Sequence, residues 1–371
     1  MARAGQGADT GSMRDVLPAL VRHLESGPVA LARVISTTGA SPRAVGSAML
    51  ITADGEIIGS LSGGCVESAI IDSAAETLSD ETATIEHFGL ADPDGIAIGL
   101  TCGGEMEVLV EPLGAGHLDA VRRLAAAVAA GTPIALAATL SASPAWHVAT
   151  PDDQRPWRHL DADIADLLAT GRSGIIGVDD CETGPQGDRP RTFVQTFGPR
   201  SRLILVGAND FVRALATLGS ALGHHVTVVD ARAVFATHTR FPDADEVIVD
   251  WPHRYLAQEI TEHRTDRSTC VCVMTHDAKF DVPTLCTALG SDRVGFVGAL
   301  GSRRTVADRN ARLVEAGVTA DQLARLRSPL GLDLGAHTPA EVAVSIAAQL
   351  IADRHDASGM SLTLTSGPIH R

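Results

Sequence analysis

The segment SLSGGCVESAI, Ser60 to Ile70, places a cysteine directly after two glycines and a glutamate two residues after the cysteine. Val66, Ala69, Ile70, Ser73, Ala74, Thr77 and Leu78 then recur with helical spacing, so Gly63 and Gly64 mark a strand-to-helix turn that delivers Cys65 to a helix N-terminus. The positive end of the helix dipole favours a thiolate there, which is both a nucleophile and a soft metal ligand. Glu67 opposes it from the same turn, and GGC is also a good way to build a tight bend with a small residue. Spacing alone leaves a reactive thiol and an inert filler equally open.

TCGG around Cys102 is a second cysteine beside paired glycines; taken alone it is more often a packing residue, but two such cysteines in one domain raise the odds of a shared thiol site. The other cysteines differ. Cys270 and Cys272 sit in a buried-looking strand and Cys286 in an apolar helical stretch, which assigns them to the core. With Cys181 the chain has six cysteines and no C-x-x-C pair, so neither a disulfide framework nor a zinc site is implied. The close groups of thiolates that iron–sulfur clusters need are missing too.

The elements that would position these residues fall into two patterns. An amphipathic helix from Met13 to Ser26 opens the first, followed by the strand VALARVIST, the loop TTGASPRAVG and a hairpin turning at Asp54-Gly55. Beyond the cysteine turns come the strand in EMEVLVEP, an alanine-rich helix over 118–130, the strand PIALAATL, a helix near 164–170 and the strands SGIIGV and RTFVQTF. CETGPQGDRPR reads as a surface loop and FGPRS as a linker. From Arg202 short apolar strands (RLILVG, HVTVVD, EVIVD, CVCVMTH, VGFVGAL) alternate with helical stretches, the sign of a parallel, doubly wound sheet. The expected fold is α/β: a disordered tail over 1–12, an N-terminal α+β domain over 13–198, and a Rossmann-like domain over 199–371.

A dinucleotide-binding strand ends in G-x-G-x-x-G, because glycines let amides approach the pyrophosphate at a helix N-terminus. Here the aligned residues are Gly207-Ala208-Asn209-Asp210-Phe211-Val212, and only the first glycine remains. Asn209 adds a side chain where the pyrophosphate would lie and Asp210 adds a negative charge, so ordinary NAD(P) binding is not expected. Asp230 stands where an acidic residue would take ribose hydroxyls, or simply ends a strand. His276 lies at the C-terminal edge where open sheets bind ligands, a position also suited to capping or packing. In GALGSRRT, the amides of Gly301 and Ser302 with Arg303 and Arg304 form either an anion site or a solvated helix start.

Composition narrows the partners. The 371 residues are 45% hydrophobic and 20% charged, an ordinary globular balance with room for two cores. A formal net charge of −15 argues against nucleic acid, whose phosphates are bound by Lys and Arg. Neither a secretory signal nor a stretch of ~20 apolar residues occurs, so a cytoplasmic protein without a membrane span is expected.

TTGASPRAVGSAML, GSLSGGCVES and GLTCGGEMEVLVEP together resemble the N-terminal domain of the XdhC/CoxI family. RLILVGAND, THDAKFD, FVGALGSRRT and GLDLGAHTPAEVAVSI resemble its C-terminal Rossmann-type domain, in the family's order, from about Pro28 to about Asp353. The turn at Asn209–Val212 departs from the family's G-A-G-H-V/I-G-like pattern. The resemblance implies a maturation factor for molybdenum hydroxylases such as xanthine dehydrogenase. Such a factor binds the molybdenum cofactor, in its molybdopterin or a dinucleotide form, and protects it while a cysteine desulfurase exchanges an oxo ligand for sulfido. It then delivers the cofactor to the apo molybdenum hydroxylase, and such factors are usually homodimers.

The chemistry of the residues fits. Molybdenum in a dithiolene accepts a thiolate such as Cys65, and the pterin phosphate needs amides and an arginine, a part that suits Arg43; Cys102, Gly63 and Gly64 are further expected cofactor-binding residues. Arg43 equally suits a surface loop. Gly207, Asp230, His276, Gly301, Ser302 and Arg303 complete the expected contacts. The competing reading is an NAD(P)-dependent oxidoreductase or a xanthine dehydrogenase-associated subunit, although the chain is too short and too poor in cysteines for a whole molybdenum hydroxylase.

Overall fold

The computed structural model describes residues 11–39, 41, 43–89, 104–153, 156–177 and 189–366. The chain divides into two compact units, one up to Pro199 and one over Arg200–Thr365.

In the first unit helix α1 (Met13–Leu24) leads into β1 (Val29–Thr38), β2 (Ala48–Thr52) and β3 (Ile57–Gly59), then α2 (Glu67–Asp80), β4 (Thr84–Phe88) and β5 (Glu105–Leu113). These strands form an antiparallel sheet in the order β3-β2-β1-β5-β4. From Val29 to Ile35 strand β1 is apolar apart from Arg33, because both of its faces are covered there. Ala30, Ala32 and Val34 pack with Val66, Ile70 and Ala74 around α2, whereas Val29 and Leu31 pack with Leu17, Leu20 and Leu24 of α1.

Helix α3 (Leu118–Ala129), β6 (Ile134–Thr139), β7 (Trp146–Ala149), α4 (Asp161–Thr170), β8 (Gly174–Ile176) and β9 (Thr192–Phe197) follow, with a second antiparallel sheet in the order β7-β6-β9-β8. The one charged residue inside β1, Arg33, is fully buried and pairs with buried Glu111 at 2.6 Å, while Trp146 Nε1 donates to the other oxygen of Glu111 at 2.8 Å. The Arg33 guanidinium lies between the Trp146 and Phe193 rings, 5.5 and 5.3 Å from their centroids, and so ties the two sheets together.

The second unit runs β10 (Arg202–Val206), α5 (Asp210–Ala221), β11 (His225–Val229), β12 (Glu246–Ile248), α6 (Pro252–Thr261), β13 (Cys270–Val273), α7 (Ala278–Leu289), β14 (Phe296–Ala299), α8 (Arg303–Glu315), α9 (Ala320–Ala324), β15 (Leu326–Arg327) and α10 (Pro339–Arg354). All strands are parallel, in the order β12-β11-β10-β13-β14-β15. The order reverses between β10 and β13, the place where a doubly wound sheet opens a crevice. Leu203, Leu205 and Val226 face α5 and α10, and Ile204, Val206 and Val271 face the opposite helix layer, so each strand is buried on both sides. Cys272 is wholly buried and Cys270 and Cys286 partly so. Burial pushes the Cys270 thiol up to about 12 and the Cys272 thiol well above its ordinary value.

Candidate functional site

The loop from Ser60 to Val66 leaves β3 and curls back on itself before α2 begins. Gly63 and Gly64 have φ of +85° and +126°, and a Cβ on either would meet no atom within 4 Å. Glycine is therefore required here by backbone conformation, since crowding is absent. The curl turns the amides of Leu61, Ser62, Gly63, Gly64 and Val66 onto the Glu67 carboxylate at 2.9–3.2 Å, and the hydroxyls of Ser60 and Ser62 donate to it as well. Burial pushes the Glu67 carboxyl up, but the bonds from Ser62 and Ser60 outweigh it and hold the group far below its ordinary 4.5.

Cys65 stands in the middle of this arrangement, half-buried and not disulfide-bonded, with its own N–H donated to Ser62 Oγ at 2.9 Å. The helix end that the sequence offers to Cys65 thus carries an internal anion, Glu67, and the thiol sits two residues before the helix on a loop that this anion fixes. Arg43 is half-buried in the loop between β1 and β2, where its carbonyl accepts from Ser41 Oγ at 2.8 Å. Cys102 lies outside the described residues.

In the second unit the candidates follow the C-terminal ends of the parallel strands, where Gly207, Asp230 and Ser302 are engaged locally and His276 and Arg303 are exposed. Gly207, with φ of +114°, lies so close to β13 that a Cβ would approach Thr275 Cγ2 to 2.7 Å. Asn209 caps α5 by accepting from Val212 N at 3.1 Å and donates through Nδ2 to the Met274 carbonyl at 2.8 Å. Asp210 forms an exposed pair with Arg213 at 3.2 Å, and Val212 is fully buried. Asp230 is buried and both its oxygens are held by the Arg232 guanidinium, at 2.9 and 2.7 Å, with the Arg232 amide at 2.8 Å. A ribose could reach that carboxylate only by displacing Arg232, which stacks on Phe235 at 4.8 Å.

His276 is exposed after β13, and Asp277 caps α7 through Lys279 N at 3.0 Å. Ser302 caps α8 through Thr305 N at 3.2 Å, next to Gly301, and Arg303 and Arg304 project into solvent. Sequence reasoning missed the buried cluster behind this edge. Arg309 donates to Asp281 at 3.2 Å, to the Leu300 carbonyl at 2.6 Å and to Ser328 Oγ at 3.0 Å, and Thr275 bonds the other Asp281 oxygen. Burial raises the Asp281 carboxyl despite Thr275 and Arg309. Its only trace in the sequence is an aspartate and an arginine in two helical stretches.

Among the described residues no group of His, Cys, Asp and Glu is arranged to hold a metal ion by itself, and no helix is long and apolar enough to cross a membrane. What the molecule offers is a glycine-framed thiol on an α+β unit and a Rossmann-like unit with its glycine fingerprint altered.

That combination defines a two-domain protein, an α+β unit followed by a Rossmann-like unit. The model for the XdhC and CoxI family matches residues 23–89, which include the Cys65 loop, and the XdhC Rossmann domain model matches residues 203–350. The chain belongs to the XdhC/CoxI family. It is 27% identical to a probable xanthine dehydrogenase subunit of Bacillus subtilis, over 93% of this chain and 98% of that protein. It is 25% identical to the molybdenum cofactor insertion chaperone PaoD of Escherichia coli, over 93% of this chain and 90% of PaoD. The crystal structure of a xanthine dehydrogenase from Bacillus halodurans superposes with a TM-score of 0.70 at 27% identity, covering 95% of this chain and 98% of that one.

Proposed function

We propose that this protein is a molybdenum cofactor maturation factor. It takes up the cofactor as cargo, shields it while a cysteine desulfurase replaces an oxo ligand by sulfido, and passes it to an apoenzyme of the xanthine dehydrogenase type. We place it in the cytoplasm as a homodimer. The observation that carries this reading is the Cys65 loop, a half-buried thiol on a bend that the Glu67 carboxylate holds through backbone amides. The donor set suits the cargo, because a soft thiol is a ligand for soft metal centres and the glycines beside it leave open space.

The cofactor supplies a soft molybdenum–dithiolene centre and an anionic phosphate. On the protein side, Cys65 provides the soft ligand, with Cys102 as a second thiol in the same domain. Arg43 on its glycine-bearing loop is assigned to the phosphate, and Gly63 and Gly64 are assigned to the cofactor's approach beside Cys65. For the second unit, taken by itself, His276, Gly301, Ser302 and Arg303 are proposed as cofactor contacts, whereas Gly207 and Asp230, also expected there, are engaged within the unit by Thr275 and Arg232.

A second reading, a polypeptide that remains attached to the dehydrogenase, draws on the name of the Bacillus subtilis relative. One experiment separates the two. The full chain is expressed in cells that make the cofactor, its molybdenum and pterin content is measured, and purified apoenzyme is added. Molybdenum should leave the protein and activity should appear in the apoenzyme after the two are separated again. A complex that stays together favours permanent attachment, and a chain that never carries pterin or molybdenum rules out the maturation role.

A further inference from the structure

The five-stranded sheet of the first unit ends in a cleft of about 460 Å³ whose lining includes Ser36, Thr38, His87, Glu105, Glu107 and Arg191. The register lays these side chains out as a grid. Ser36 and His87 both stand opposite Glu107, and Thr38 stands opposite Glu105 in the next row of the same face, about 7 Å along the strand. The two carboxylates have different surroundings. Glu107 is held by Arg191 at 3.0 Å and lies 3.3 Å from His87 Nδ1, so its charge is answered within the protein. The Glu105 side chain is exposed to the cleft and, among the described residues, carries no hydrogen bond or ion pair; Thr38 stands opposite it on β1 and Gly89 lies on its other side.

An unengaged carboxylate with two acceptor oxygens beside a hydroxyl donor matches one heterocyclic edge well: a ring N–H next to an exocyclic amino group, followed by an oxo group. That is the 2-amino-4-oxopyrimidine edge of a pterin, shared with guanine. We infer that this cleft reads the pterin end of the cargo, Glu105 accepting the paired N–H donors and Thr38 donating to the oxo group, with the Glu107–Arg191 pair fixing the neighbouring row. The inference rests on the proposed maturation role and adds a second subsite to it.

The test uses the full-length protein, titrated by fluorescence with 6-hydroxymethylpterin, with 6-hydroxymethyllumazine, which has an oxo in place of the amino group, and with GMP. The pterin should bind at least tenfold more tightly than the lumazine, because the lumazine turns an acceptor toward the carboxylate. Glu105→Gln should weaken pterin binding at least tenfold and abolish the preference at an unchanged thermal midpoint. Equal binding of pterin and lumazine, or an unaffected Glu105→Gln protein, overturns the inference. GMP binding more tightly than the pterin overturns the assignment to the cofactor and gives the cleft to a guanine nucleotide. Molybdenum content is scored separately: a Glu105→Gln protein loaded as fully as the parent sinks this subsite and leaves the maturation role standing, whereas a parent without molybdenum sinks that role itself.

Discussion

The side-chain amide of Asn209 spans from the end of β10 to the Met274 carbonyl beyond β13 at 2.8 Å, while its oxygen caps α5 through Val212. These are the two strands at which the sheet order reverses, where a nucleotide pyrophosphate would approach bare backbone in a dinucleotide-binding fold. Here a protein side chain makes the connection that a ligand would otherwise make. Arg232 does the same at Asp230. The Rossmann-like framework is kept while its nucleotide contacts are turned inward.

NADH should therefore bind weakly. In a fluorescence titration a dissociation constant in the low micromolar range, about −8 kcal/mol, would contradict this. Asn209→Gly should tighten NADH binding by opening the amides. Asn209→Ala should cost about 2 kcal/mol of stability, read by denaturant unfolding, because it removes a helix cap and leaves the Met274 carbonyl without its donor.

Two arginines of α8 should behave oppositely. Arg303 is exposed, so Arg303→Ala should leave the thermal midpoint nearly unchanged while lowering cofactor retention. Arg309 is buried and bonds Asp281, Leu300 and Ser328, and Arg309→Ala should cost about 3–5 kcal/mol by stranding the Asp281 charge. Calorimetry of both variants beside molybdenum analysis checks the pair. Full retention by Arg303→Ala would return the GALGSRRT stretch to a plain helix start.

Glu67 should make the first unit sensitive to acid. Its folded carboxyl lies well below the 4.5 of the unfolded chain, so the unfolded state binds more protons in that interval. The stability that Glu67 contributes is complete above about pH 5 and is lost as the pH falls through 4.5 and below. Glu67→Gln should flatten this part of the pH–stability curve and lower stability at pH 7. A variant whose acid limb is as steep as the parent's would show that the loop does not depend on the charge.

The fold was legible wherever burial imposes periodicity. The two-sided burial of β10, β11, β13 and β14 made RLILVG, HVTVVD, CVCVMTH and VGFVGAL continuous apolar runs, and the helical spacing after Cys65 announced α2. Strands β4 and β7 were not legible, since Thr84–Phe88 is an edge strand of mixed polarity and Trp146–Ala149 spans only four residues. Around Cys65, the glycines announce the bend, and in the sequence Glu67 is only a charge opposing the thiolate. Its actual part, as the acceptor that gathers the loop amides, depends on φ angles that composition does not carry. Arg309 and Asp281 are 28 residues apart and meet only through tertiary packing, which no local pattern records.

Cys65→Ser tests the central assignment because the two readings of this residue give opposite results. Serine keeps the size and the backbone of the bend, and the N–H at position 65 still donates to Ser62 Oγ, so the Glu67 network is left in place. As a soft ligand beside open space, Cys65 should lose molybdenum on replacement, with a change in stability below about 1 kcal/mol, since the site is only half-buried. As a filler against the α2 core, it should cost about 1–3 kcal/mol for the hydroxyl placed there and leave cofactor binding intact. Molybdenum content and the unfolding midpoint, measured on the same preparation, separate the two. Cys102→Ser should show the weaker loss of cofactor. A destabilised Cys65→Ser protein that still carries molybdenum would assign the residue to packing and move the search for the cargo's ligand to the other thiol.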